Sequence, residues 1–418
     1  MSLIKQPITG MKDILPREME IRDYVMDVVK DTYKSFGFVS IDTPCMEHIE
    51  NLLSKQGGDN EKLIFKILKR GEKLHVAEAI SEEDIVDGGL RYDLTLPLAR
   101  YYSNHQNELP SPFKALQMGY VWRADRPQKG RFRQFMQCDI DIIGDGSNIA
   151  EISLIVATSS LLSRLGFKDF TVRVNDRRIL KAMAAYSGFS EDKMDEIFII
   201  LDKMDKIGID GVKEELIANG FESEKVEKYI ELFSNLKPDA EGLEQCKEIL
   251  ADYIDTDIID KLLQIFAMVG GTRDTSFALT FDPTLVRGMG YYTGTIFEIG
   301  MEGYSGSVAG GGRYDEMIGK FTGNSAPAIG FSIGFERIIM ILMENGFKIP
   351  SSKEKKIYLT EKNISNAKLA EILAFTKVER ANGRIVQITP MKKNKKFQKE
   401  QLEAEGYTEI IEIYNDEQ

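Results

Sequence analysis

Cysteine and histidine are scarce in this sequence, and each scarcity excludes something. Three cysteines, Cys45, Cys138 and Cys246, stand far apart in 418 residues. They make neither a disulfide frame nor a zinc cluster and point to a reducing compartment, the cytoplasm by default. The three histidines, His48, His75 and His105, show no ligand spacing, so no metal site is expected. No Ser-His-Asp or Cys-His set is supported either, and covalent catalysis is not indicated. No apolar run approaches the roughly 18 residues of a membrane-spanning helix. The opening "MSLIKQPITGMKDILP" is not a signal peptide, because polar residues and a proline follow Met1 where an apolar core belongs. Positive charge is in deficit: a net charge of −12 argues against indiscriminate nucleic-acid binding, which neutralises phosphate with Lys and Arg. The Walker and dinucleotide glycine patterns are absent too.

What is present is the texture of a soluble globular protein, with 43% apolar and 29% charged residues. The length implies two or three domains. Arg17 to Phe36 reads as a helix, with Ile21, Val25, Val28, Val29 and Phe36 on one face, stopped by Gly37. "FVSIDTP" is a short strand ended by Pro44. Two strands, "FKALQMGYVWRAD" and "QFMQCDIDIIG", flank the polar turn "RPQKGRFR". In the second, Met136, Cys138, Ile140 and Ile142 give one apolar face, with Gln137, Asp139 and Asp141 on the other. Glu151 to Leu165 is an apolar helix, and amphipathic helices dominate 176–271. Strand texture resumes at "SFALTFDPTLV"; Gly310, Gly311 and Gly312 read as a tight turn, and "IPSSKEKK" as a linker. Strand, helix, strand, helix, strand follow it.

Three arginines sit beside strand or turn texture: Arg123 after the only tryptophan, Arg287 in "LVRGMGYY" and Arg337 at the end of "GFSIGFER". Alone, each fits a salt-bridged or surface arginine. Together they suit phosphate oxygens, which the planar guanidinium fork matches. Gln137 and Asp141, four apart on one strand, point the same way, as do Asp93 and Thr95 in "LRYDLTLPLAR". Such pairs suit an ammonium and a ring nitrogen, although a solvated strand face explains them equally.

These segments resemble the class II aminoacyl-tRNA synthetases, and most closely the histidyl-tRNA synthetases. "TGMKDILPRE" is similar to that family's N-terminal signature. The first helix, strand and Pro44 resemble the dimer-contact motif, "VWRADRPQKGRFRQFMQCDIDIIG" the ATP-holding strand–loop–strand, and "AIGFSIGFERI" the third motif. "LVRGMGYYTGTIFE" and "GGGRYD" resemble the two histidine-specific signatures, and "LRYDLTLPLARY" the segment that binds the amino-acid end. The resemblance runs from about residue 5 to 345. It implies an α+β fold: an antiparallel sheet flanked by helices, with a helical insertion and a small C-terminal α/β domain. The implied domains are 1–350, catalytic, with the insertion at 176–271, and 352–418, a shortened anticodon-binding-like domain.

The resemblance implies ATP-dependent formation of histidyl-adenylate and transfer of histidine to its tRNA, by a cytoplasmic homodimer with Mg²⁺ accompanying ATP. Arg287 and Arg123 would be catalytic. Arg123, Asp125, Arg131 and Arg337 would bind ATP. Asp93, Thr95, Gln137, Asp141, Arg287, Tyr291 and Tyr292 would bind histidine. Three departures stand out. Gly290 replaces a usually acidic residue, Asp125 and Asp141 stand where glutamate is common, and the C-terminal region is roughly a third short. That shortening also fits a rival, the non-catalytic regulatory subunit of ATP phosphoribosyltransferase in histidine biosynthesis. A histidine- or RNA-binding module without chemistry is a third reading, which the basic run "KKNKKFQKEQ" allows.

Overall fold

A computed structural model describes residues 3–53, 60–272, 277–287, 290–304, 306–350 and 353–415. Gly288 and Met289 of the "VRGMG" stretch, and Ser351 and Ser352 of the expected linker, lie outside the described residues. The chain divides into two compact units: 1–14 with 22–344, and 15–21 with 345–418.

The strands of the first unit are β1 (Val39–Ile41), β2 (Met46–His48), β3 (Lys66–Leu68), β4 (Val86–Leu90), β5 (Phe113–Trp122) and β6 (Gln134–Ile143). They continue as β7 (Phe170–Asp176), β8 (Phe277–Phe281), β9 (Thr295–Met301), β10 (Ala309–Arg313) and β11 (Ala328–Ile333). Eight form one sheet in the order β1-β5-β6-β11-β10-β9-β7-β8. All pairings are antiparallel except the two at its edges, β1 with β5 and β7 with β8. A smaller sheet, β2-β4-β3, stands beside it in the chain.

Helices cover the large sheet. α1 (Pro16–Ser35) buries Val25, Val28 and Val29 as the periodicity predicts, and it also buries Tyr33. Gly37, at φ 85, closes it in the left-handed conformation that glycine adopts without strain. α2 (Ile49–Leu52) and α3 (Thr95–His105) follow, and α4 (Asn148–Arg164) is buried along Leu154, Ile155 and Leu161. Six helices then occupy the predicted helical stretch: α5 (Arg177–Tyr186), α6 (Met194–Leu201), α7 (Met204–Ala218), α8 (Ser223–Asn235), α9 (Ala240–Ile249) and α10 (Asp257–Thr272). α11 (Asp315–Thr322) and α12 (Phe335–Glu344) complete the unit. Behind the sheet, Arg22 of α1 makes a two-pronged pair with Glu336 of α12, at 2.7 and 2.6 Å, and both are buried.

The C-terminal unit alternates as its pattern indicates: β12 (Lys355–Thr360), α13 (Asn366–Ala381), β13 (Ile385–Pro390), α14 (Lys395–Ala404) and β14 (Tyr407–Ile413). Its sheet is parallel, ordered β13-β12-β14. Ile357 and Leu359 pack on one face with Leu402, while Tyr358 packs on the other with Ile372 and Val386. In the basic run, Lys399 and Lys395 pair with Glu412 at 2.6 and 3.4 Å.

One expectation is overturned. Gly310, Gly311 and Gly312 are not a turn but the middle of β10, an interior strand that pairs on both sides. A local reading credits glycine with turn-forming freedom. Here the need is for a missing Cβ. At 311 one would strike the Gly330 carbonyl, and at 312 it would lie 2.6 Å from the Thr295 carbonyl oxygen.

Candidate active site

Strand register builds the floor of the site. Across the sheet, Gln117 of β5 faces Asp139 of β6, Asp139 faces Ser332 of β11, and Ser332 faces Gly310 of β10. Gly310 faces Glu298 of β9, and Glu298 faces Arg173 of β7. Residues directly opposite one another share a face, so this is one transverse polar row with a gap at its centre. The guanidinium of Arg287 occupies that gap, where a Cβ on residue 310 would collide with it. A second row holds Asp141 of β6 opposite Gly330, and Gly330 opposite Gly312. A Cβ at 330 would strike the Asp141 carboxylate.

The polar face of β6 is therefore not solvated. Gln137 is 9% exposed, Asp139 4% and Asp141 2%. Above them opens a cavity of about 400 Å³. All eleven residues singled out from the sequence line it: Asp93, Thr95, Arg123, Asp125, Arg131, Gln137, Asp141, Arg287, Tyr291, Tyr292 and Arg337. One local expectation needs correcting. Asp93 and Thr95 are not alternate residues of a strand; they open α3, where Asp93 Oδ1 accepts from the Leu96 N–H at 3.1 Å. The turn still brings both to the cavity.

The cavity wall collects carboxyl groups. Burial pushes Asp93 above the ordinary carboxylate range. It pushes Asp139 well above, with the charge of Asp141 adding to the effect. Asp141 is raised by burial to about 7, against the pull of the Tyr314 hydroxyl, which donates to its Oδ1 at 2.6 Å. Ser332 Oγ–H donates to Asp139 at 2.5 Å, and Gln137 Nε2 donates to the other Asp139 oxygen at 3.3 Å. Three buried carboxyls this close favour a cation between them.

The same cavity collects arginines. Arg123 Nε–H donates to the Tyr92 carbonyl at 2.8 Å, and its guanidinium lies over Phe135, 5.3 Å from the ring centre. Arg337 donates to the Ser307 carbonyl, and burial holds its pKa below the ordinary arginine value. Arg131, about half exposed, pairs with Asp125 at 3.1 Å. Arg287 Nη1–H donates to Glu298 at 2.8 Å.

Among the described residues, four buried polar atoms on this cavity wall have no hydrogen-bond partner: Asp93 Oδ2, Gln137 Oε1, Asp141 Oδ2 and Arg287 Nε. Leaving one such atom unpaired costs about 1–3 kcal/mol. Convergence of four on one cavity marks groups held ready for a ligand. Among the described residues, no lysine, histidine or cysteine lines the cavity. What it provides is polar groups held in place: carboxyls for an ammonium or ring N–H, and guanidiniums for phosphate oxygens. Among the described residues, no group of three or more His, Cys, Asp or Glu is placed to hold a metal ion.

Sequence reasoning passed over Asp139, Glu298, Ser332 and Tyr314. Asp139 carried a signal, because it alternates with two residues that were chosen. Glu298 and Ser332 enter only through register with neighbouring strands, and Tyr314 only through its contact with Asp141.

Comparison with known proteins agrees with this chemistry. A family model described as histidyl-tRNA synthetase matches residues 10–338. A histidine–tRNA ligase of Leifsonia xyli is 45% identical over 353 residues, which cover 80% of this chain and 80% of the relative. Among solved structures, a histidyl-tRNA synthetase from Nostoc sp. PCC 7120 is similar with TM-score 0.81 and 26% identity, covering 100% of this chain and 93% of that one. A Bacillus halodurans chain described as an ATP phosphoribosyltransferase regulatory subunit/histidyl-tRNA synthetase matches with TM-score 0.78 at 20% identity, covering 100% of each, and so shows the fold alone.

Proposed function

Because the chain belongs to the histidyl-tRNA synthetase family, we propose that it is a histidine–tRNA ligase whose cavity activates histidine with ATP. The observation that carries this reading is the four buried polar atoms, without partners among the described residues, that converge on a cavity lined by both carboxyls and arginines. An amino acid bears an ammonium group and ATP bears polyphosphate, so the pair matches both kinds of side chain.

Histidine lies with its α-ammonium at Asp93, Thr95 and Gln137, and its imidazole between Asp141 and Tyr292, with Tyr291 packed alongside. Asp141 Oδ2, which has no partner among the described residues, accepts the ring N–H. ATP binds as its magnesium complex against Arg123, Asp125, Arg131 and Arg337. A carboxylate oxygen of histidine attacks the α-phosphorus. The bond from that phosphorus to the bridging oxygen breaks, and pyrophosphate leaves with the electron pair. Charge developing on the α-phosphate oxygens is met by Arg123 and Arg287. Such a displacement depends on positioning and charge stabilisation more than on a base. A ribose hydroxyl at the 3′ end of histidine tRNA then attacks the carbonyl carbon of the adenylate; the acyl–phosphate bond breaks and AMP leaves with its electron pair. In this reading 1–350 is the catalytic domain, with 176–271 inserted in it. Residues 352–418 serve as an anticodon-binding-like domain, and the protein works as a cytoplasmic homodimer. No described helix is long and apolar enough to cross a membrane.

The regulatory-subunit reading is the weaker one. It gives no chemical use to Arg123, Arg287, Arg337, Gln137 and Tyr292, which all line the same cavity. Aminoacylation of histidine tRNA tests transfer directly: the intact chain charges it with histidine, and adenylate formation without charging would confine the activity to the first step.

A pH dependence follows from Asp141. With its carboxyl titrating at about 7 in the free protein, acid converts the acceptor that histidine needs into a neutral acid. The KM for histidine is therefore expected to rise about tenfold between pH 8 and pH 6, since each pH unit below a pKa dilutes the ionised form about tenfold. Asp141→Asn raises KM at pH 8 and flattens the profile. Any slope it retains belongs to the imidazole of histidine itself. A wild-type profile no steeper than that of the variant would refute the assignment.

A further inference from the structure

Arg287 is held from outside the cavity. Its ion-pair partner Glu298 presents its other oxygen to Arg173, 3.4 Å from Nη1. Arg173 Nε–H donates to Asp282 at 2.6 Å, and Asp282 caps the segment that runs to Arg287 by accepting from the Thr284 N–H at 2.9 Å. On its outer side Arg173 forms a fork with Asp205, at 2.9 and 3.3 Å. Asp205 belongs to the helical stretch, in the first turn of α7. Gly208, at φ 69, breaks the helix three residues later, so this turn forms a separate corner. Asp202 is on the same corner. Burial raises its carboxyl pKa, and the charge of Arg287 pulls the other way.

Resting on the role proposed for Arg287, we propose that Arg173 is a positioning residue through which the helical module sets the aim of Arg287. The chain of contacts is Asp205, Arg173, Glu298, Arg287. Arg173 is the one member that touches the module, the strand beneath Arg287 and the segment that carries Arg287. A planar fork engaged on several sides fixes its own orientation, and so fixes the carboxylate that Arg287 leans on. Asp205 is 64% exposed, so its pair with Arg173 contributes little to stability. Its effect lies in geometry, and a misplacement near 1 Å at a reacting centre costs about 10²-fold in rate.

The test compares Arg173→Met, Asp205→Asn and the double variant in histidine-dependent ATP–pyrophosphate exchange, with Arg287→Ala as reference. Arg173→Met is expected to lower kcat about tenfold while KM for histidine and for ATP moves less than about twofold. Asp205→Asn lowers kcat severalfold at an unchanged thermal midpoint, a split that a purely structural salt bridge would not produce. The double variant is no slower than Arg173→Met, because both act through one chain of contacts. Wild-type kcat in both single variants, where Arg287→Ala is inactive, overturns the proposal; so do effects that multiply in the double variant. Where Arg173→Met does not fold, Asp205→Asn decides, and an unchanged kcat is the contrary result. Absence of exchange in the wild-type protein is a different outcome: it removes the function reading and this proposal together.

Discussion

Arg287→Ala is expected to lower kcat for histidine-dependent pyrophosphate exchange by about 10²–10³-fold, the usual loss when one fixed donor to a developing oxyanion is removed. The argument comes from position. Arg287 lies over the gap at Gly310, in the transverse row that links Asp139 to Glu298. Its Nε is buried without a partner among the described residues, which is costly in the free protein and useful only if a ligand atom arrives there. Loss of the side chain leaves Glu298 with Arg173 as a cation, at 3.4 Å, so no bare buried carboxylate is created and the fold survives. Arg287→Lys restores little, because an ammonium is a single point charge and cannot serve Glu298 and a phosphate oxygen at once in the geometry of a fork. Exchange kinetics beside a thermal melt check this. A variant that loses its activity only by unfolding would count against a catalytic role.

Gly310→Ala is the second large effect, and it adds one carbon. The three atoms nearest its Cβ all belong to the far end of the Arg287 side chain. A flexible guanidinium can move aside, so the thermal midpoint stays near that of the wild type while the cation leaves its place. A shift on the order of 1 Å costs about 10²-fold in rate, and kcat is expected to fall by that much. Gly311→Ala is the internal contrast. There the new Cβ meets the Gly330 carbonyl across the β10–β11 pair. Backbone must give way, and the protein loses stability before catalysis can be compared. Unchanged kcat in Gly310→Ala would show that Arg287 does not need that place.

These two glycines also show where sequence reading stops. Local rules see three consecutive glycines as a turn. Their requirement is non-local, since what each must avoid comes from a neighbouring strand or from Arg287. The alternation of β6 was legible, and so was the register of its polar side chains. A strand that faces water and one that floors a cavity have the same alternation, so the burial of Gln137, Asp139 and Asp141 was not. The amphipathic helices between 176 and 271 were plain from spacing. The corner at Asp205 and its contact with Arg173 were not, because a charged residue in an alternating strand has the pattern of any solvent-facing position. All eleven candidate residues come from separate motifs between 93 and 337, and only the fold brings them to one cavity.

The account rests on one claim, that this cavity joins histidine to the α-phosphate of ATP. Histidine-dependent exchange of labelled pyrophosphate into ATP by the unaltered chain tests it most directly. The account predicts exchange that requires histidine and is not supported by amino acids lacking the imidazole, since such side chains leave Asp141 unpaired. Well-folded protein that catalyses no exchange at saturating histidine and MgATP would contradict it and put the regulatory-subunit reading in its place.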